Sequence, residues 1–243
     1  MPQETDTLVG RPVRASRGGD HFRDVLIVAG AILMAATLYL TFLYAPTDAN
    51  LGVSQRIFYF HVPVAILSLL SVVVVAVASA LHLFRKGERS DAVAYASAEV
   101  GFVFCTIAIV TGAIWAKPVW GVWWTWDPKL TLTLVLWFIY ASYLMLRAFG
   151  PKGSQGARYG AVLALIGAID APIIYYAAEL WRSTHPNLII GPAAPGDALD
   201  PKMLVAVLVS LIAFAVLFVF LIIERYNLKK AETDVDEIFQ YAA

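Results

Sequence analysis

Six runs of about twenty apolar residues each leave this chain very little freedom of fold. They fall at residues 25–45, 62–84, 93–116, 130–149, 157–181 and 203–223. Inside hydrocarbon every backbone N–H and C=O must be satisfied within its own segment, so each run is predicted to be a membrane-spanning α-helix. Composition agrees. The chain is 60% hydrophobic with mean hydropathy +0.70, and only 15% of its 243 residues are charged. A soluble domain carries about a quarter charged residues. The first run is roughly twice the length of a signal-peptide core and has no convincing cleavage site, so it reads as an uncleaved first helix. The expected fold is an all-α integral membrane protein of six transmembrane helices, a single domain over residues 1–243.

Lysine and arginine are distributed unevenly between the two sides. Thirteen fall in the amino tail, the connections after helices 2 and 4, and the carboxyl tail, against five in the alternate connections. By the positive-inside rule both termini are cytoplasmic, with tails at 1–23 and 224–243. Two outer segments follow, at 115–131 and 182–202, the second rich in Pro, Gly and Asp from residue 191 to 201. The formal net charge of zero argues against a nucleic-acid partner. Cys105 is the one cysteine, so an intrachain disulfide, a CxxC pair and a CxxCH haem-attachment motif are all excluded, and it reads as a small buried hydrophobe.

The segment WAKPVWGVWWTWDPKLT, residues 115–131, holds five of the seven tryptophans: Trp115, Trp120, Trp123, Trp124 and Trp126. Tryptophans anchor helix ends at the headgroup level, and anchoring is one reading. The other is a platform for a flat, largely apolar ligand: Trp120, Trp123 and Trp124 have the spacing that a short surface helix would gather on one face. Asp127-Pro128 has the form of a helix start, with the carboxylate as N-cap and proline at the first helical position.

The predicted topology sorts the histidines. His21 and His82 fall on the cytoplasmic side, where solvated positions explain them. His61, in IFYFHVP just before Pro63 opens the second helix, and His185, in ELWRSTHPN beyond the fifth, fall outside with the tryptophans. Two neutral imidazoles beside an aromatic surface suit haem, whose iron takes axial nitrogen and whose propionates want cations. Arg56, Lys117, Lys129 and Arg182 are the outer cations. Zinc would ask for more protein ligands and copper for Met or Cys. Within the helices, Glu99 lies near the cytoplasmic end, where it can snorkel, and Asp170 lies in mid-helix as a packing or hydrogen-bonding site.

WGVWWTWDPKLT resembles the tryptophan-rich WWD signature of the haem-handling membrane proteins of cytochrome c maturation. With the six-helix size, QRIFYFHVP around His61 and ELWRSTHP around His185, the likeness is to the haem exporter protein C family, CcmC. The resemblance implies that His61 and His185 are axial ligands of a haem b at the outer face of a bacterial inner membrane. It implies that Trp120, Trp123, Trp124, Trp126 and Asp127 cradle the porphyrin, with Trp115 at the start of the segment. It further implies transfer of the haem, as cargo rather than permanent cofactor, to the periplasmic chaperone CcmE. The small subunit CcmD and the CcmAB transporter subunits are the implied neighbours. At position 129 the family pattern often has arginine, and lysine here would offer a propionate a point charge in place of a bidentate fork. No nucleophile or nucleotide motif is present, so a loading and transfer protein is expected rather than an enzyme. The alternatives are a permease subunit, which would carry polar positions through several helices, and a bis-histidine electron-transfer cytochrome.

Overall fold

The computed structural model describes residues 17–85, 87–151, 153–181, 183–185 and 199–242. Among these residues six long apolar helices are formed, so the protein is a multi-pass membrane protein. They are α1 (Arg17–Tyr39), α2 (Phe58–Arg85), α3 (Glu88–Trp120), α4 (Pro128–Phe149), α5 (Ser154–Leu180) and α6 (Pro201–Ala242). A π-helical turn, Leu40–Tyr44, ends α1, and a 3-10 turn, Val53–Ile57, leads into α2.

Helix α2 lies at the centre, packed on α3, α5 and α6, while α4 closes on α5 and α1 on α6. Association of helices in lipid depends on close backbone approach, because the tails are as apolar as leucine. The contact faces are accordingly built from small residues, such as Ala94, Ala98 and Gly101 on α3 and Gly160, Ala164 and Gly167 on α5. A Cβ at Gly101 would lie 2.3 Å from Ser71 Oγ and 2.6 Å from the Tyr140 hydroxyl, so α2, α3 and α4 meet where only glycine fits. Outward-facing side chains such as Val28, Ile32 and Val73 stay apolar and exposed, as a lipid-facing surface requires.

Helices α1 and α6 run antiparallel. Arg23 donates from one guanidinium edge, through Nε and Nη2, to Glu224 at 2.5 and 2.8 Å, at the end where α1 begins. Lys202 lies 5.6 Å from the Tyr44 ring at the other end. At the end where α1 begins, the Tyr95 ring is surrounded by Arg147, Arg225 and Lys229, whose charges are balanced by Asp91, Glu99 and Glu232. Glu99 therefore pairs with Arg225 rather than snorkelling alone.

Several sequence expectations change. Helix α3 runs past the expected end at 116 to Trp120, because Pro118 deprives only the Ile114 carbonyl of its partner and Gly121, at φ 77°, supplies the left-handed cap. No surface helix follows, so Trp120, Trp123 and Trp124 do not share a helical face. Helix α6 continues to Ala242, and the tail from residue 224 is helical. Pro63 does not open α2 but sits inside it, leaving the Tyr59 carbonyl without its helical donor. The Ser210 hydroxyl of α6 donates to that carbonyl instead. His82 is buried and its Nδ1 lies 3.1 Å from the Gly87 carbonyl, so it is an interior residue, whereas His21 is exposed. Cys105 is fully buried, as expected of a small hydrophobe.

Candidate functional site

His61 lies in the first turn of α2, reached through the 3-10 turn that redirects the chain after α1. Arg56 holds that approach in place: its guanidinium donates to the Thr41 carbonyl, to the Ala45 carbonyl at 2.8 Å and to Thr47 Oγ1 at 3.3 Å. The Thr41 and Ala45 carbonyls lie where α1 and its π-turn end, and carbonyls there lack helical donors. The His61 ring faces α3. Its Nδ1 is 3.0 Å from Thr111 Oγ1, and the Trp115 ring meets it edge-on at a centroid distance of 5.8 Å. Trp115 also meets Phe58, at 6.1 Å. A Cβ at Gly112 would lie 3.0 Å from His61 Cε1, so the ring rests against bare backbone.

The chain leaves α3 at Gly121 and enters α4 at Pro128, with Asp127 as N-cap. One carboxylate oxygen of Asp127 accepts from the Lys129 amide at 3.0 Å. The other accepts from the Thr184 amide at 2.8 Å and faces the Thr184 hydroxyl at 3.4 Å. The Ser183 hydroxyl also bonds to Asp127. Ser183 Oγ accepts from the His185 amide at 3.0 Å. Asp127 thus ties the tryptophan segment to the three residues that end in His185. Burial alone would raise its carboxyl, but the bonds from Ser183, Thr184 and Lys129, with His185 nearby, hold it below the ordinary carboxylate range. An open hollow of about 450 Å³ lies here, lined by Thr125, Trp126, Asp127, Pro128, Ser183 and Thr184.

The two histidines, far apart in sequence, lie close enough to feel each other's charge. Lys129 acts on His61 in the same way and is itself within reach of Asp127 and Glu179. Lys117, by contrast, donates to the Gly121 carbonyl at 2.8 Å and closes the end of its own helix. Arg182, the fourth cation expected near the site, lies outside the described residues, as do residues 186–198 of the second outer segment. Trp123 and Trp126 are exposed, at 58% and 76%, and Trp124 meets Trp126 edge-on at 6.0 Å. The indole nitrogens of Trp115 and Trp124 are buried with no hydrogen-bond partner among the described residues. Asp170 stands apart in α5, with Oδ2 buried and likewise unpartnered.

Sequence reasoning missed Thr111, Gly112, Ser183, Thr184 and Glu179. Thr111 and Gly112 stand four and three residues before Trp115, and a threonine-glycine pair on an apolar helix is the only signal they give. The donor chemistry has a definite character. Among the described residues no cluster of three or more His, Cys, Asp or Glu could hold a bare ion. A pair of imidazoles suits an iron whose four equatorial positions are already filled.

The family model described as Heme exporter protein C, CcmC, matches residues 7–238. The chain is 37% identical over 196 residues to the heme exporter protein C of Bradyrhizobium diazoefficiens, covering 81% of this chain and 74% of the relative. It is 37% identical to that of Escherichia coli K12, covering 73% and 71%, and 32% identical to that of Rhodobacter capsulatus, covering 88% of each. The chain belongs to the heme exporter protein C family.

Proposed function

We propose that this protein binds haem b on the membrane face opposite its termini and hands it to a chaperone during cytochrome c maturation. His61 and His185 are the axial ligands, and the haem is cargo. The observation that carries this reading is that two imidazoles, one on α2 and one beyond α5, act on each other electrostatically, with Trp115 edge-on to His61 and Lys129 within electrostatic range of it. The orphaned indole N–H groups of Trp115 and Trp124 fit a site made for a flat ligand. Exposed Trp123 and Trp126 provide apolar surface at its edge. Lys129 is the propionate contact best supported, since Arg56 and Lys117 are engaged with backbone carbonyls.

Bound haem supplies an iron that accepts both imidazoles and an edge that a partner can reach. The protein's own part is to hold two rings that only tertiary structure brings together. His61 is fixed on a helix, while His185 sits on a short tether held by Asp127. Release therefore proceeds through the tethered ligand, whose displacement disturbs no spanning helix. The thirteen-to-five bias in Lys and Arg supports cytoplasmic termini and a periplasmic site in a bacterial inner membrane. The family resemblance supports CcmE as recipient, with CcmD and the CcmAB subunits as neighbours, and the absence of a nucleotide motif in this chain leaves ATP hydrolysis to another subunit.

The test is an optical spectrum of the detergent-purified protein, oxidised and reduced, beside His61→Ala and His185→Ala. A low-spin bis-imidazole haem in the parent, lost or converted in each variant, is the expected result. A parent that stays haem-free when haem is supplied, or variants whose spectra match the parent's, would overturn the assignment.

A further inference from the structure

The Thr111 hydroxyl has a single hydrogen, and the structure shows where it goes. Thr111 Oγ1 lies 2.7 Å from the Ile107 carbonyl, one turn back on α3, and 3.3 Å from the Ala108 carbonyl. A carbonyl can only accept, so the hydroxyl donates within its own helix, the ordinary habit of a threonine on an apolar helix. Its oxygen keeps its lone pairs and stands 3.0 Å from His61 Nδ1. The hydroxyl oxygen that faces the ring is therefore an acceptor. In a neutral imidazole one nitrogen carries the hydrogen and the other the lone pair. The hydrogen belongs on Nδ1, and Nε2 keeps its pair.

We infer that Thr111 is a positioning residue that sets the tautomer of His61, presenting Nε2 as the donor nitrogen, and that Gly112 sets the tilt of the ring by leaving it backbone to rest on. The inference rests on the proposed role of His61 as an axial ligand. A hydrogen bond to the far nitrogen is the usual means by which a protein orients an imidazole ligand and raises its basicity. Here the acceptor is a hydroxyl already committed within its own helix, so His61 is held from α3 and not from its own helix α2. Trp115, on the same helix, closes a further edge of the ring at 5.8 Å.

The experiment has two parts. In the haem-free protein labelled with nitrogen-15 histidine, the His61 ring is expected to carry its hydrogen on Nδ1. Thr111→Val, which keeps the shape and removes the acceptor, is expected to give a mixture of tautomers, while Thr111→Ser restores the parent signal. In the haem-supplied protein, Thr111→Val is expected to lose haem about tenfold faster or more and to shift the midpoint potential, again with Thr111→Ser like the parent. Gly112→Ala should speed haem loss with the tautomer unchanged. A parent His61 protonated on Nε2, or a Thr111→Val protein matching the parent in both measurements, overturns the role of Thr111. A Gly112→Ala protein that keeps haem like the parent overturns that of Gly112. If the parent takes up no haem, the ligand assignment fails, and the tautomer measurement still decides for or against Thr111.

Discussion

Asp127 does two jobs with its two oxygens, and they can be separated. One caps α4 and the other pins Thr184 ahead of His185. Asp127→Ala removes both, at about 0.5–2 kcal/mol for the cap alone, and should lower haem retention as the His185 tether loosens. Asp127→Asn offers one acceptor oxygen in place of two, so it should fall between alanine and the parent. The pH dependence follows from the sign of the shift. The folded carboxyl titrates below its ordinary value, so its stabilising contribution is present above about pH 3.9 and is lost as pH falls through the lower folded value. Tryptophan fluorescence should therefore hold steady from about pH 8 to about pH 5 and change only below about pH 4. The same acid step in Asp127→Asn would show that another group causes it. The N-cap role was legible in the sequence, because Asp-Pro before an apolar run is a local signal. The bond to Thr184 was not, because nothing local links a residue to one 57 positions on.

At the level of elements, the spans were legible and their ends were not. Hydropathy reports where a helix must be buried in lipid and is silent on how far it continues into water, so α3 and α6 were read short. Prolines misled for a related reason. Pro63 reads as a helix start until one sees that Ser210 of α6 supplies the missing donor. Ser210→Ala should leave a buried carbonyl unsatisfied and cost about 1–3 kcal/mol, seen as a lower melting temperature in detergent. Pro63→Ala restores a backbone N–H to the same carbonyl, so the double variant should recover part of the loss. Strict additivity of the two single effects would mean that the two residues do not share that carbonyl.

For the molecule as a whole, the arrangement has the start of α1 and the later part of α6 at one end and His61 at the other, and the sidedness rests on charge. Cys105 is the one cysteine and is fully buried, so introduced thiols can be labelled without a background. In intact cells with a permeable outer membrane, a membrane-impermeant maleimide should label Trp126→Cys and should reach Gln155→Cys only after lysis. The reverse pattern would invert the topology and put the site in the cytoplasm. What the sequence determined by itself is what hydrocarbon and charge enforce locally: six spanning helices, the Lys and Arg bias, and an aromatic segment capped by Asp127-Pro128. Only the tertiary structure decided which side chains meet. The ring of His61 is held by Thr111 and Gly112 of another helix, Asp127 holds Thr184 next to His185, and Lys129 is the cation within electrostatic range of His61. These pairings depend on small residues that let α2, α3, α4 and α5 approach closely, a condition each helix meets only against its neighbours and never in its own sequence.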